Sequence, residues 1–134
     1  MKEYVCAERC RGIEISGIRK LFESARPDSI DLGLGQPDFD TPDHVKEGAI
    51  QAIRGGKTGY TSNMGIPELR EALSTKFKKE NGLSYDPGQI IVTAGASEAL
   101  HIIMQALVGE GDRVVFADPG FVSYGALAVL AGGR

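Results

Sequence analysis

The sequence has 134 residues, of which 42% are hydrophobic and 25% charged, a composition typical of a globular domain with a sizeable core. The formal net charge of −3, with no aromatic residues interleaved in a basic run, argues against nucleic-acid binding. No apolar run approaches the roughly 18 residues of a membrane span, and the N-terminus lacks the apolar stretch of a signal peptide. We therefore expect a cytoplasmic location.

The cysteines offer little for metal binding. Cys6 and Cys10 are the only two, and they lie four residues apart near the start of the chain. Two thiols do not complete a tetrahedral metal site, and neither His44 nor His101 is spaced to help. We predict two reduced thiols and no metal site.

The N-terminal region is predicted to contain one short helix. Residues 1–15 carry no sustained hydrophobic period, which indicates an irregular arm. Apolar residues then recur at helical spacing after Ser16, a good N-cap, and the pattern stops at Pro27. The glycine- and proline-rich stretch that follows, which includes Gly35, is predicted to be a turn.

Two further helices are predicted before the middle of the chain. The first starts with Thr41 as its N-cap and Pro42 in the first helical position, and it ends at Gly55. After a loop, the second helix runs from Pro67, with acidic residues early and lysines late, to Gly82 as its stop.

The second half of the chain has an alternating strand and helix pattern. Ile90 to Thr93 are four consecutive β-branched residues without polar alternation, typical of a strand buried on both faces of a parallel sheet. An amphipathic helix follows through Leu107, a second buried strand is predicted over 113–117, and another helix over 121–130. Two such strands joined by a helix form a right-handed βαβ unit. The fold class is therefore α/β, with a sheet of only two or three strands.

Three small residues, Gly95, Ala96 and Ser97, join the first strand to its helix. The amides of a helix N-terminus can bind an anion, and small side chains allow a ligand to approach the backbone. In a simpler interpretation, the Ser97 hydroxyl caps the helix and binds no ligand, and Glu98 interacts favourably with the helix dipole. The local pattern alone favours this simpler interpretation. The G-x-x-x-x-G-K-[ST] phosphate loop and the dinucleotide fingerprint do not occur in the sequence.

Five motifs in a fixed order favour the anion site. They are Gly-Leu-Gly-Gln-Pro-Asp-Phe-Asp-Thr-Pro, Lys-Thr-Gly-Tyr-Thr, Gly-Ile-Pro-Glu-Leu-Arg-Glu-Ala-Leu, Ile-Val-Thr-Ala-Gly-Ala-Ser-Glu-Ala-Leu and Asp-Pro-Gly-Phe-Val-Ser-Tyr. Together they closely resemble the N-terminal third of the pyridoxal-phosphate-dependent aminotransferases, the aspartate aminotransferase superfamily of class I/II and fold type I.

The resemblance implies a fold and a domain division. It implies an incomplete three-layer α/β/α sandwich with a largely parallel sheet, the start of the large domain that binds pyridoxal 5′-phosphate. We expect residues 1–27 to form the N-terminal arm and first helix, and residues 28–134 to be the first, truncated part of that domain.

The resemblance also implies roles for residues of the cofactor site. Gly95, Ala96 and Ser97 match the turn that binds the cofactor phosphate, which agrees with the helix-terminus argument. Phe121 matches the aromatic residue that stacks on the pyridine ring, and Tyr124 is implied to support the cofactor indirectly.

Two more residues match family positions outside this turn. Tyr60 matches the tyrosine that reaches across a homodimer interface to the phosphate of the other subunit, so a complete site would need two chains. Gly35 matches the glycine whose backbone amide binds the α-carboxylate of the substrate, where the absence of a side chain is what matters.

The activity that the resemblance implies is transamination between an amino acid, expected to be aspartate or a relative of it, and a 2-oxo acid. The Schiff-base lysine and the substrate-binding arginine of the family lie in regions after Arg134. Lys76 follows Ser74 and Thr75 but does not fit the surrounding Schiff-base pattern. We therefore expect no catalytic residue in this chain, and no transamination by the chain alone.

Two alternatives remain at this stage. Relatives in the same superfamily are lyases or synthases that use the same cofactor, and fold-level analogy does not separate them from transaminases. A non-catalytic domain that acts through association is the other alternative, because an incomplete sheet exposes unpaired edges.

Overall fold

The structure of this chain is a computed structural model that describes residues 6–11, 13–14, 16–26, 28–30, 32 and 35–134. Contacts divide the chain into two compact units, one comprising Met1–Gln36 and Ala94–Arg134, the other comprising Pro37–Thr93. The division predicted between residues 27 and 28 stays a prediction. Pro27, the predicted end of the first helix, and Gly33 and Leu34 of the first motif lie outside the described residues.

Helices account for the regular structure of the described residues. The α-helices are α1 (Gly17–Glu23), α2 (Asp43–Arg54), α3 (Pro67–Asn81), α4 (Ala96–Leu107) and α5 (Ser123–Leu130), and two short 3₁₀ turns cover Glu8–Cys10 and Pro87–Gln89. The predicted helices are therefore all present, with bounds that differ by a few residues.

In the unit of residues 37–93, α2 begins later than predicted. Pro42, in an extended conformation, precedes its first residue, Asp43, so the prediction of Thr41 as N-cap is wrong. The reason is the conformation of Pro42, whose ψ of 138° is not helical and places it before the first turn. The Thr41 amide donates to Oδ1 of Asp40 at 2.7 Å. Lys46 stabilises this arrangement, since its Nζ lies 2.8 Å from Asp40 Oδ2 and 2.9 Å from Asp43 Oδ1.

The same unit contains α3, which begins at Pro67 and ends at Gly82 as predicted. Gly82 has a φ of 68° and a ψ of 17°, the left-handed conformation that glycine adopts at low cost. The helix packs on the following segment, where the rings of Phe77 and Tyr85 meet edge to face with centroids 5.9 Å apart. Ser74 adds a hydrogen bond from its hydroxyl to the Tyr85 carbonyl at 2.5 Å.

The predicted strand over Ile90 to Thr93 does not form a regular strand within the described residues. Ile90 is extended, with a φ of −111° and a ψ of 128°, and it is buried, with 8% of its surface exposed. The Val92 amide donates to the Met64 carbonyl at 3.0 Å. Ile91, between Ile90 and Val92, is exposed rather than buried, so the segment is not covered on both faces.

In the unit that includes residues 94–134, α4 packs on α5, and the Glu8–Cys10 turn also contacts α5. Ala128 of α5 is 3% exposed and forms the small core of this unit in the described part of the chain. α1 begins after Ser16 as predicted, because the Ser16 hydroxyl accepts a hydrogen bond from the Arg19 amide at 3.2 Å.

The second predicted strand, over residues 113–117, shows the beginning of parallel pairing. The Arg134 amide donates to the Asp112 carbonyl at 2.8 Å, and the Val114 amide donates to the Arg134 carbonyl at 2.9 Å. This alternation around one residue is the hydrogen-bond pattern of a parallel pair. Val115 is nevertheless 95% exposed, so the predicted burial on both faces is wrong for this segment. The sheet as a whole is not confirmed, because a strand becomes buried only between neighbours that cover it, and the described residues contain no assigned strand.

Both cysteines, Cys6 and Cys10, are exposed free thiols. The described residues contain no group of three or more His, Cys, Asp or Glu side chains arranged to hold a metal ion. Among the helices of this described part, none has the length and apolar character needed to cross a membrane.

Candidate functional site

The turn before α4 depends on the conformation of Gly95. Its φ of 90° and ψ of 170° lie in a region that is essentially restricted to glycine. Gly95 is the N-cap and Ala96 the first helical residue, so Ser97 is the second residue of α4. The simpler interpretation of Ser97 as the N-cap is therefore wrong, and α4 begins without a side-chain cap.

The turn has the donors that an anion needs. The amides of Ala96 and Ser97 belong to the first helical turn, where no carbonyl of the same helix is available to accept them. Both residues are exposed, and a Cβ built on Gly95 would meet no atom within 4 Å. The positive end of the helix dipole acts at the same place. This turn can therefore accept a phosphate or carboxylate group from solvent.

A carboxylate of the chain itself already contacts this turn. The backbone amide of Ala94 donates a hydrogen bond to Oε2 of Glu98. From the sequence, Glu98 was expected only to favour the helix dipole, so this bond was missed. A signal was available, because a glutamate at the third helical position is where the capping box places its acceptor.

Phe121 lies at the start of the segment that leads into α5 and is 44% exposed. Its ring meets the Tyr124 ring edge to face, with centroids 5.7 Å apart and planes at 71°. Tyr124 also contacts the ring of Phe116, at 6.0 Å. The preceding Gly120 allows the turn, since a Cβ there would lie 2.3 Å from the Ala117 carbonyl oxygen. Phe121 is thus supported by Tyr124 on one side while part of its ring remains open to a ligand.

Tyr60 and Gly35 are exposed positions elsewhere in the chain. Tyr60 lies in the loop between α2 and α3, and its side chain is fully exposed. Gly35 is also exposed, and a Cβ built on it would meet no atom within 4 Å. The structure therefore brings Gly95, Ala96 and Ser97 together in one turn and pairs Phe121 with Tyr124.

Arg70 supports the loop that follows Tyr60, a role that the sequence did not indicate. Its Nε donates to the Gly65 carbonyl at 3.2 Å, and its Nη1 donates to the Pro87 carbonyl at 3.0 Å. The side chain is half-buried, so these two bonds connect the end of the loop with the segment after α3. A single arginine on a charged helix gives no signal of such distant partners.

Charged side chains at the start of α2 perturb one another. The Lys46 ammonium holds the pKa of Asp40 below its ordinary value, with a smaller contribution from the Thr41 amide. In return, Asp40 and then Asp43 raise the pKa of Lys46 above its ordinary value. All three groups are exposed, so this cluster orders the start of a helix and has no sign of a catalytic role.

Comparison with known sequences identifies the family to which these features belong. The sequence profile of the family described as "Aminotransferase class I and II" matches residues 27–134, which is most of the chain. The chain belongs to the class I and II aminotransferase family.

Individual relatives agree with this assignment. A probable aspartate aminotransferase of Methanocaldococcus jannaschii is 48% identical over 128 residues, and the alignment covers 96% of this chain and 34% of the relative. The aspartate aminotransferase of Pyrococcus horikoshii is 46% identical over 132 residues, and the alignment covers 97% of this chain and 34% of the relative. The chain spans about a third of the length of the curated relatives it matches.

A solved structure supports the fold of the same region. A single mutant of Thermus thermophilus aspartate aminotransferase is 42% identical and superposes with a TM-score of 0.85, covering 98% of this chain and 36% of that protein. The fold of this region therefore resembles that of an aminotransferase.

Proposed function

We propose that this chain is the N-terminal part of a pyridoxal-phosphate-dependent aminotransferase that moves an amino group between aspartate, or a related amino acid, and a 2-oxo acid. The observation that carries the proposal is the glycine turn at the start of α4, in a chain whose residues 27–134 match the aminotransferase family. Two of the relatives bear the name aspartate aminotransferase, which favours aspartate as substrate.

The donors of the turn fit the phosphate group of pyridoxal phosphate. Ala96 and Ser97 offer backbone amides and Ser97 a hydroxyl, all donors that phosphate oxygens accept. Gly95 contributes the backbone conformation and leaves open space in front of the helix. The Ala94 amide already holds an anionic carboxylate, which supports the suitability of this backbone for negative charge.

Phe121 and Gly35 are proposed to orient the pyridine ring of the cofactor and the α-carboxylate of the substrate, respectively. The partly exposed ring of Phe121, held by Tyr124, would stack on the flat pyridine ring. The Gly35 backbone amide would bind the substrate α-carboxylate, and the open space at Gly35 suits such a close approach. Pyridoxal phosphate, when bound, supplies an electron-withdrawing ring that stabilises negative charge at the substrate α-carbon.

The proposed assembly is a homodimer. In this homodimer, the fully exposed Tyr60 of each subunit would donate a hydrogen bond from its phenolic hydroxyl to a phosphate oxygen in the site of the other subunit. The exposure of Tyr60 in the single chain is compatible with a role at an interface. A cytoplasmic location also stays a prediction.

The proposed fold is the α/β/α sandwich of the family with a largely parallel sheet. The bonds between Arg134 and the backbone of Asp112 and Val114 support parallel pairing of the segment after α5 with residues 113–117. We propose that segments corresponding to the unmatched two thirds of the relatives supply the remaining strands and the lysine that binds the cofactor covalently.

A fusion tests the proposed function. Residues 1–134 of this chain are joined to the part of the Pyrococcus horikoshii aspartate aminotransferase that follows its matched third. We expect the fusion to bind pyridoxal phosphate with a visible absorbance that borohydride fixes onto the protein, and to form oxaloacetate from aspartate and 2-oxoglutarate.

The Pyrococcus horikoshii part alone is the control, and we expect it to show neither property because it lacks the phosphate turn. A fusion that is folded by circular dichroism but binds no cofactor would overturn the proposal. Release of ammonia in place of transfer to the oxo acid would identify a lyase instead.

A further inference from the structure

The carboxylate of Glu98 holds the backbone immediately before the phosphate turn. It accepts the amide of Ala94, four residues earlier, and the bond therefore spans Gly95, Ala96 and Ser97. No other side chain caps α4 at its cap residue, since Gly95 has none to offer. The bond between Glu98 and Ala94 is thus a side-chain constraint across the turn.

A complete capping box elsewhere in the chain shows what is unusual here. At the Pro87–Gln89 turn, the Asp86 carboxylate accepts the Gly88 amide at 2.8 Å, while the Gln89 side chain accepts the Asp86 amide at 2.9 Å. Both directions of the box use backbone donors at the start of that turn. At α4 the glutamate at the third helical position accepts the amide of Ala94, the residue before the cap, and Gly95 has no side chain to accept an amide of the first turn. The amides of Ala96 and Ser97 have no acceptor within the helix.

We propose that Glu98 is a positioning residue for the cofactor phosphate. By holding the Ala94 amide, it keeps Gly95 in its positive-φ conformation and aims the amides of Ala96 and Ser97 at one point. Its role is that of a hydrogen-bond acceptor, and it does not touch the ligand. This inference rests on the proposed function, because the phosphate belongs to the proposed cofactor.

The role as acceptor predicts how substitutions behave. A glutamine at position 98 can still accept the Ala94 amide through its carboxamide oxygen, whereas an alanine cannot. If the negative charge of Glu98 instead acted mainly by repelling phosphate, both substitutions would strengthen binding. The two mechanisms therefore give opposite signs for the alanine variant.

The test measures binding of pyridoxine 5′-phosphate to the fusion by calorimetry. This compound carries the phosphate but no aldehyde, so its affinity does not depend on the lysine. We expect Glu98→Ala to weaken binding about tenfold and Glu98→Gln to stay within about threefold of the parent. Exchange of the Ala94 amide with deuterium, measured by mass spectrometry or NMR, should accelerate in Glu98→Ala and not in Glu98→Gln.

Glu68→Ala is the matched control. Glu68 is also an acidic residue in the first turn of a helix, α3, and its removal alters the helix dipole interaction without affecting the phosphate turn. We expect its affinity for pyridoxine 5′-phosphate to equal that of the parent.

Each other outcome overturns the inference. Unchanged or stronger binding by Glu98→Ala would exclude the acceptor role, and so would equal weakening by alanine and glutamine in folded variants. Failure of the parent fusion itself to bind pyridoxine 5′-phosphate would overturn the proposed function, and the inference with it. The parent measurement thus separates the two failures.

Discussion

Helices α3 and α4 begin in opposite ways, although a positive-φ glycine comes shortly before each. α3 opens at Pro67, which has no N–H to offer, and Arg70 in its first turn binds the Gly65 carbonyl. α4 opens at Ala96, whose N–H has no acceptor within the helix, directly after Gly95. The first residue of α3 has no amide hydrogen, and Arg70 holds the preceding loop, whereas the first residue of α4 has an amide donor without an acceptor in the helix.

The two glycines show why this difference matters. A Cβ on Gly65 would collide with Val92, whereas a Cβ on Gly95 would meet open space. Gly65 is needed for packing as well as conformation, and Gly95 for conformation alone. The Gly65 turn therefore has a packing role, and the Gly95 turn is the one proposed to bind a ligand. Substitutions in both turns test this contrast.

Gly65→Ala is expected to have the largest effect. The new Cβ would lie 2.5 Å from Cγ2 and 2.8 Å from Cβ of Val92, at a φ of 96° that disfavours side chains. We expect the free energy of unfolding of the fusion to fall by about 3 kcal/mol, measured by urea denaturation. Gly48→Ala, in the interior of α2 with no atom within 4 Å, should instead raise it by about 0.5 to 1 kcal/mol. Equal stability of the two variants would show that close packing of Gly65 against Val92 does not limit the side chain at this position.

Arg70→Ala should come next, with a loss of about 2 kcal/mol, because it leaves the Gly65 and Pro87 carbonyls without a charged donor. Arg70→Lys should recover only part of this loss, since one ammonium does not reproduce the two-pronged geometry of arginine. The readout is again the urea midpoint. Arg19→Ala, which removes an exposed ion pair with Glu23, is the control and should change stability by less than about 1 kcal/mol. A similar loss of stability in Arg70→Ala and Arg19→Ala would show that the Arg70 hydrogen bonds contribute no more than an exposed ion pair.

Gly95→Ala is expected to separate stability from binding. Strain at a φ of 90° should lower the free energy of unfolding by about 1 kcal/mol, since the Cβ meets no neighbour. Because the turn must shift to relieve this strain, affinity for pyridoxine 5′-phosphate should fall about tenfold. Calorimetry on this variant and on Gly65→Ala checks the contrast, since Gly65→Ala should retain the affinity wherever it remains folded. Loss of affinity in Gly65→Ala alone would reverse the assignment of the two turns.

The ion cluster at the start of α2 should have the smallest effect and a defined pH dependence. The lowered pKa of Asp40 means that its contribution is present above the pKa of the unfolded chain and is lost as the pH falls through the folded value. The raised pKa of Lys46 means that its contribution is present below the unfolded pKa and is lost as the pH rises through the folded value.

Urea midpoints against pH should therefore be flat at neutral pH and decline on both sides, and Asp40→Asn should flatten the acidic decline. Repeating the series in about 1 M salt is the control, because exposed charges are screened there. An acidic decline of the same size in Asp40→Asn would show that Asp40 does not contribute to it.

Several features of the fold were predictable because their causes are local. Pro67 and Gly82 mark the ends of α3, and Ser16 caps α1, since each depends on the conformation of one residue and its near neighbours. Thr41 failed as a cap because Pro42 is extended and itself precedes the first helical residue, a choice of backbone conformation that the pattern of residues does not rank. The predicted sheet is not confirmed, and Ile91 and Val115 are exposed where burial was expected, because burial depends on neighbours that the described residues do not provide.

Some features of the candidate site were also predictable from the sequence, and others were not. The small residues 95–97 and the family motifs were visible in the sequence, and the roles of Gly35, Tyr60 and Phe121 stay predictions. The glutamate at the third helical position was visible as a capping acceptor, but its choice of the Ala94 amide was not, because that bond depends on the conformation of the intervening Gly95.

The sequence by itself determined the order and approximate ends of the helices, the small-residue turn and the aminotransferase motifs, because these depend on residue type and short-range spacing. The tertiary structure alone decided which glycine packs and which stays open, and it alone joined Arg70 to the distant Pro87 and Gly65 to Val92. The physical reason is that contacts between residues far apart in the chain follow from how the elements pack, and local propensity does not encode that arrangement.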